Sequence, residues 1–169
     1  MDVITAIMTR RSIRKYSDEY VSDDLVKKLL EAAMQAPSAG NQQPWQFIVI
    51  RDKHIFKLIQ KFHPFSSMLD EASVAILVCG DIYPERYKNY WIIDCSNAAE
   101  NILLAAHALG LGAVWLGVHP REERTEPMRE LFKLPENIKP HSLIVIGYPA
   151  ESKETEYRFN PEKIHHEKW

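Results

Sequence analysis

The sequence predicts an α+β fold in which helices cover both faces of one β-sheet, giving three layers. Residues 72–79 form a continuous apolar run, which is typical of a strand that is buried on both faces. Residues 94–109 are rich in alanine and leucine and nearly apolar all round, which predicts a central helix. Helical and extended patterns follow one another along the rest of the chain, and this order indicates a sheet sandwiched by helices.

Apolar spacing and turn residues define the other elements. Residues 2–8 carry apolar side chains at helical spacing and lead directly into a basic cluster. A second helix starts at Ser22 or Asp23, either of which can cap it, and it stops before Pro37. We also predict helices over residues 53–62 and 127–132, and strands over residues 45–50, 113–116 and 142–146.

The chain is predicted to form one domain over residues 1–169, because a single core is typical up to roughly 200 residues. No internal repeat, low-complexity tract or linker divides it. Residues 150–169 form a polar tail that has no apolar period of its own, although it carries Tyr157, Phe159, Ile164 and Trp169. Such a tail cannot bury these side chains against itself, which predicts that it lies across another surface, such as a second subunit.

The charge balance excludes a protein that attracts polyanions over its whole surface. Twenty-one basic and twenty-three acidic side chains leave a formal net charge of −2, so we expect no binding to nucleic acid or to an anionic membrane. Any site for an anion must therefore be local.

The N-terminus does not resemble a signal peptide, and no apolar stretch approaches the ~20 residues of a membrane span, so we expect a cytoplasmic protein. Cys79 and Cys95 lie in apolar or helical runs, which favours a buried reduced pair over a disulfide.

The basic cluster that follows the first helix is the first candidate site. Arg10 and Arg14 are four residues apart and would share a helical face if the helix continued, with the hydroxyl of Ser12 between them. Guanidinium groups and a hydroxyl suit a phosphate. The alternative is a solvated basic surface at a helix C-terminus, where the helix dipole favours cations.

The loop over residues 37–44 is the second candidate site. It presents three neighbouring amide side chains between two prolines, so it forms a rigid surface that can donate to and accept from a heterocycle. The alternative is an ordinary polar loop. Asp94 and Glu100, on the central helix, are either a polar pair that faces the site or simple capping and surface residues.

Other common catalytic patterns do not occur in the sequence. It contains no GxGxxG or GxxxxGK[ST] motif, which excludes a classical dinucleotide-binding turn and a P-loop. It also has no CxxC, HExxH or GxSxG motif, and we therefore expect no metal site and no nucleophilic triad.

Three segments resemble the nitroreductase-like FMN-dependent oxidoreductases. They are RRSIR at residues 10–14, APSAGNQQPW at residues 36–45 and GLGAVWLG at residues 110–117. They occur in the order and spacing of that family, and IGYP at residues 146–149 together with Arg158 extends the resemblance over essentially the whole chain.

The resemblance implies a mixed, mostly antiparallel sheet sandwiched by helices, an intertwined homodimer, and two FMN molecules bound at the interface by residues of both chains. It also implies that Arg10, Ser12 and Arg14 are FMN ligands, with Arg11 as a neighbour that could also reach the phosphate, that residues 116–117 meet the ring near N5, and that Arg158 closes on the phosphate. From the chemistry of flavin reduction, we assign Arg10 to the phosphate, Arg14 to the N1–O2 edge, and the backbone N–H of Gly117 to N5. The implied cofactor-binding residues are Arg10, Arg11, Ser12, Arg14, Pro37, Ser38, Asn41, Gln43, Leu116, Gly117 and Arg158.

The implied activity is the transfer of electrons from NADH or NADPH to a small acceptor, such as a nitro compound or a quinone, by a ping-pong mechanism. Because FMN itself accepts the hydride, the protein needs no acid–base pair of its own. Leu116 stands where many members carry an acidic residue, and the chain has no room for the helical excursion of larger members. Dehalogenation and flavin breakdown therefore stay open as reactions, as does the choice between NADH and NADPH. Two non-enzymatic alternatives are an FMN storage or sensing protein and a phosphate-binding module without flavin.

Overall fold

The structure, a computed structural model, describes residues 1–83 and 86–169. Its strands are β1 Trp45–Ile50, β2 Val74–Asp81, β3 Gly112–Gly117 and β4 Ile138–Gly147. Its α-helices are α1 Val3–Thr9, α2 Asp23–Met34, α3 Lys53–Gln60, α4 Trp91–Ala108 and α5 Glu122–Phe132. The predicted α+β class is confirmed.

The strands form one antiparallel sheet in the order β1-β2-β4-β3. The chain between α1 and α2 adds an isolated parallel bridge from Ser12 to Ala113 at the β3 edge, which makes the sheet mixed. The prediction of a mixed, mostly antiparallel sheet is therefore confirmed. Strand β2 lies inside the sheet, with a paired neighbour on each side.

Helices cover both faces of the sheet, and alternate residues of β2 contact different layers. Ile76 and Val78 pack in the same cluster as buried residues of α2 and α4, including Leu29 and Ile102. Leu77 packs on the opposite face with buried residues of α3 and α5. For this reason, residues 74–79 of the strand are all apolar.

Helix α5 and strand β4 begin well before the positions that their sequence patterns indicate. Helix α5 begins at Glu122, so that Pro127 lies inside it instead of at its start. Glu122 and Glu123 occupy the first turn, where the helix dipole favours negative charge. Strand β4 begins at Ile138 because its backbone pairs with β2 through the polar residues that precede the apolar run. Backbone pairing decides where this strand starts, and the pattern of apolar residues in the sequence does not reveal that pairing.

Two further observations concern the core and the surface. Cys79 and Cys95 are buried as free thiols, and burial raises the pKa of Cys79 to about 12 and also raises that of Cys95. Both thiols therefore stay protonated and unreactive at neutral pH. Among the helices of the described residues, none combines the length and the apolar character that crossing a membrane requires.

Candidate functional site

The basic cluster lies in extended backbone and not in a helix. Helix α1 ends at Thr9, and Arg10 follows with φ −55° and ψ 134°. Ile13 then donates its backbone N–H to the carbonyl of Ala113 at 3.0 Å. The idea that Arg10 and Arg14 share a helical face is therefore wrong, because pairing with the edge of β3 replaces the helical hydrogen bonds.

The C-terminal tail holds this segment from the other side. Ala150 donates its backbone N–H to the Lys15 carbonyl at 2.9 Å, and Lys153 Nζ donates to the Ser12 carbonyl at 2.9 Å. The Glu151 carboxylate accepts from the backbone N–H of Arg14 at 2.6 Å, and this bond is the main reason that the pKa of Glu151 lies below its usual value. The start of the tail therefore fixes the basic cluster against its own subunit.

Arg11 takes part in the same attachment. Its Nε donates to the Glu154 carbonyl at 2.9 Å, Nη2 lies 3.5 Å from the Glu156 carbonyl, and Nη1 donates to the Arg10 carbonyl at 3.0 Å. Each guanidinium nitrogen therefore already has a carbonyl partner. Arg11 therefore attaches the tail to the basic cluster. It can attract an anion by its positive charge, but its guanidinium donors are already used.

Three of the predicted phosphate residues line one cleft. Arg10, Arg11 and Arg158 surround a volume of about 320 Å³ between α1 and the tail. Arg10 Nε lies 3.6 Å from Glu100, and Arg158 Nε lies 3.5 Å from Glu156. Exposed ion pairs of this kind contribute little stability, so a doubly charged phosphate can compete for both guanidinium groups.

The amide-rich loop is anchored on α4 by a buried carboxylate. Asp94 is only 1% exposed, and its two oxygens accept from Ala39 N at 2.9 Å and from Gln42 Nε2 at 2.7 Å. Asn97 Nδ2 reaches the Pro37 carbonyl at 3.3 Å. Asp94 is therefore neither a surface residue nor half of a pair with Glu100, whose partner is Arg10.

Within the loop, the side chains are arranged by contacts among themselves. Ser38 Oγ accepts from the backbone N–H of Gln43 at 3.0 Å, and Gln43 Nε2 donates to Asn41 Oδ1 at 3.2 Å. Asn41 and Gln43 have φ values of +54° and +48°, a region that non-glycine residues seldom occupy. Both side chains are exposed, so the loop presents its amides outward from a strained backbone.

Gly117, at the end of β3, has a carbonyl that two side chains hold. His63 Nε2 lies 3.0 Å from this oxygen, and Arg124 Nη1 donates to it at 2.8 Å. Because a carbonyl only accepts, His63 must carry its proton on Nε2. Burial lowers the pKa of His63, which is 1% exposed, and this favours its neutral form. A Cβ built on Gly117 would meet Arg124 Nη1 only at 4.0 Å, so the space beside this glycine is open.

The sequence analysis did not identify His63 or Arg124. Neither belongs to a motif, and His63 is 54 residues away from Gly117 in the chain. Only the packing of the α3 end and of α5 against the end of β3 brings them to one oxygen.

The parts of the site lie apart within one chain. Ser12 pairs with Ala113 near the start of β3. Gly117 is four residues further along this strand, so about 13 Å of strand separates it from Ala113. The loop contacts α4 at Asp94, whereas Arg10 contacts α4 at Glu100. These two helix residues are separated by about 9 Å along the helix axis and by about 120° around it. The structure thus brings Arg10, Arg11 and Arg158 together in one cleft, which Arg14 does not line, and it places the loop apart from them.

Comparisons with known proteins identify relatives of this chain. A family model described as the nitroreductase family matches residues 7–63 and 58–148. A protein of Methanothermobacter thermautotrophicus, whose name proposes an NADH dehydrogenase or NAD(P)H nitroreductase, is 52% identical over 169 residues, which are 100% of this chain and 88% of that protein.

Two crystal structures share the fold. One, from Parabacteroides distasonis and proposed to have the same activities, is 40% identical with a TM-score of 0.95, over 99% of this chain and 98% of that one. The other, from Desulfovibrio desulfuricans, is a proposed nitroreductase in complex with FMN, 35% identical with a TM-score of 0.86, over 100% of this chain and 98% of that one. The chain therefore belongs to the nitroreductase family.

Proposed function

We propose that this protein is an FMN-dependent NAD(P)H oxidoreductase that reduces small acceptors, such as nitro compounds or quinones, by a ping-pong mechanism. The observation that carries the proposal is the cleft in which Arg10, Arg11 and Arg158 meet. The FMN complex of the Desulfovibrio relative supports the choice of ligand. The relatives described above have the names of reductases or dehydrogenases, and nothing among them supports a non-catalytic FMN-storage or sensing protein.

The residues present fit FMN in charge and in hydrogen-bonding groups. Arg10 and Arg158 would hold the phosphate, with the fixed charge of Arg11 beside them and the Ser12 hydroxyl nearby. The exposed amide of Asn41 would face the pyrimidine edge of the ring, in a loop completed by the remaining predicted contacts Pro37, Ser38 and Gln43. FMN, when bound, supplies the acceptance and release of hydride.

Around the ring, the chain would supply positioning and charge. Leu116 and Gly117 end β3 at a place where no side chain fills the space beside the glycine. Arg14 is exposed, and we assign its charge to the N1–O2 edge, where negative charge develops on reduction.

The proposed function is tested by the absorption spectrum of the purified protein. We expect one FMN per chain, and anaerobic mixing with NADH or NADPH is expected to bleach the flavin absorption. An acceptor such as a quinone should then restore it in a separate half-reaction. A yellow protein that neither donor bleaches would be a non-catalytic flavin binder, and a colourless protein that takes up no added FMN would exclude both functions.

We also propose that the chain is a single domain and works as a homodimer that shares its flavin sites. Helix α1 exposes Val3, Ile4 and Ile7 by more than half, and the tail exposes Tyr157 and Trp169 even more. Such a surface is costly in a monomer and typical of an interface. Within one chain, the loop of residues 37–44 lies apart from the arginine cleft. A second subunit would bring its own copy of this loop toward that cleft.

Shortening the chain to residues 1–150 is expected to reduce both dimer formation and FMN affinity, because it removes the exposed aromatic residues and the attachments of the basic cluster. Replacing Tyr157 and Phe159 with serine keeps the contacts of Glu151, Lys153 and Glu154 with the basic cluster. Because both rings line the arginine cleft and the flavin sites are proposed to be shared, this variant should weaken the dimer and, to a smaller extent than the truncation, FMN binding. Analytical ultracentrifugation and FMN titration measure the two effects. A shortened protein that stays dimeric and binds FMN at wild-type affinity would show that the tail has no such role.

The contact of Arg124 with the Gly117 carbonyl gives another prediction. Arg124→Gln should loosen the peptide beside the flavin, shifting the midpoint potential by roughly 30 mV, equivalent to about 1.4 kcal/mol for a two-electron couple. FMN affinity should change much less, since the phosphate contacts lie elsewhere. Arg121→Gln, an exposed arginine at the start of the same helix, is the matched control. Equal potentials in both variants would contradict the positioning role.

A further inference from the structure

A second basic cleft lies at the end of the sheet where β3 stops. It has a volume of about 340 Å³, and its lining includes Lys88, Arg129 and Lys139. Of the described residues that line it, Glu126 carries the one carboxylate, and this side chain is 61% exposed. The cleft therefore carries an excess of positive charge in a protein whose formal net charge is −2.

Among the residues that the structure describes, Arg129 is only weakly neutralised. Arg129 Nε is buried and has no hydrogen-bond partner within residues 1–83 and 86–169, while Nη1 lies 3.9 Å from the Glu126 carboxylate. At 3.9 Å from a largely exposed carboxylate, this ion pair gives little stabilisation. The guanidinium group of Arg129 also borders the cleft, and such a group favours an anion that accepts several hydrogen bonds, as a phosphate does.

One wall of the cleft is aromatic. The rings of His119 and Trp91 pack edge to face with their centroids 5.0 Å apart. Burial lowers the pKa of His119, which favours the neutral imidazole beside the cations. The Thr125 hydroxyl is on the same surface. Cations, a hydroxyl and an aromatic wall together suit a nucleotide better than a bare inorganic ion.

The position of the cleft relates it to the proposed flavin contact. Gly117 pairs with Ser142 across β3 and β4, and Lys139 is three residues further along β4, about 10 Å away. His119 follows Gly117 by two residues. In a reduced nicotinamide dinucleotide, one ribose separates the hydride-bearing ring from the pyrophosphate, a separation of the same order. The arginine cleft near α1, assigned to the FMN phosphate, is a different site.

We propose that the cleft formed by Lys88, Arg129 and Lys139 binds the pyrophosphate of NADH or NADPH while the nicotinamide ring faces the flavin. This inference rests on the proposed function and adds the place where the electron donor is held. The pyrophosphate is common to both donors, so the cleft serves either of them.

Hydride donors with and without phosphate test this site in the FMN-loaded protein. In anaerobic stopped-flow measurements, the double variant Lys88→Gln/Lys139→Gln should lower the second-order rate constant of flavin reduction by NADH and NADPH by roughly tenfold or more. Reduction by 1-benzyl-1,4-dihydronicotinamide, which has no phosphate, should stay within about twofold of wild type, since only the phosphate contact is lost. Lys28→Gln, an exposed lysine on α2, is the matched control and should match wild type with every donor.

The outcomes separate this inference from the proposed function. Wild-type rates with NADH and NADPH in the double variant would overturn the donor site and leave the proposed function standing. Equal slowing with the phosphate-free donor would mean that the lysines act on the flavin and would also overturn it. If neither class of donor reduces the flavin of the wild-type protein, the proposed function fails and this inference fails with it.

Discussion

Replacing Asp94 with alanine is expected to release the loop of residues 37–44 and to produce the largest loss of FMN affinity of any single substitution on α4. The buried carboxylate accepts from Ala39 N and Gln42 Nε2, and hydrogen bonds to a charged group contribute roughly 1.5–3 kcal/mol. If the loop must be reordered on binding, the FMN dissociation constant should rise about 10- to 150-fold. Fluorescence titration measures this constant, and thermal unfolding measures the accompanying loss of stability.

Two variants control for this effect. Asp94→Asn keeps the shape but turns one acceptor into a donor, and it should also weaken FMN binding. Glu100→Gln removes an exposed carboxylate from the same helix, whose ion pair spans 3.6 Å, and should change stability by less than about 1 kcal/mol. If Asp94→Ala lowers the melting temperature without altering FMN affinity, the carboxylate stabilises the fold and does not preorganise the site.

Substitution of Arg10 by alanine is expected to weaken FMN binding by roughly 1.5–3 kcal/mol, the usual range for a hydrogen bond to a charged group. The chemistry of any flavin that still binds should be nearly intact, because this residue is assigned to the phosphate. Arg10→Lys keeps the charge and loses the planar fork, so its affinity should fall between those of wild type and Arg10→Ala. Dissociation constants and midpoint potentials are measured for all three proteins.

Arg14 provides the contrast for that experiment. Arg14→Ala should still bind oxidised FMN but should lower its midpoint potential and slow hydride uptake, since the negative charge that Arg14 stabilises appears only on reduction. The assignment of these two roles would be wrong if Arg14→Ala left the midpoint potential unchanged, or if Arg10→Ala shifted it more than Arg14→Ala did.

Much of the fold could be predicted from the sequence, because it depends on local patterns. The apolar run of β2 predicted a strand covered on both faces, and the structure has helices on both faces of it. The long apolar helix and the turn residues near Gly110 were also recognisable. The first residues of α5 and β4 could not be predicted. Pro127 suggested the start of α5, but the helix begins with the acidic residues before it, and pairing with β2 extends β4 toward its N-terminus.

The candidate site divides in the same way. The basic cluster and the amide loop are continuous in sequence, so their residue types marked both as candidate sites, suited to a phosphate and to a heterocycle, with a solvated surface and an ordinary loop as the alternatives. The extended backbone at Arg10 could not be predicted from them, since it is set by a bridge to a strand about a hundred residues later. Arg11 likewise looked like a free cation, and only the tail shows that its donors are used.

By itself, the sequence determined the elements, the apolar layers and the residue types of the basic cluster and the amide loop, because each of these follows from neighbours a few positions apart. Only the tertiary structure decided which distant groups share an atom or a cleft: Asp94 under the loop, His63 and Arg124 on one carbonyl, and Lys88 beside Lys139. Hydrogen bonds and charges act over a few ångströms in space, whatever the separation along the chain, so these contacts exist only once the sheet and its helices are assembled.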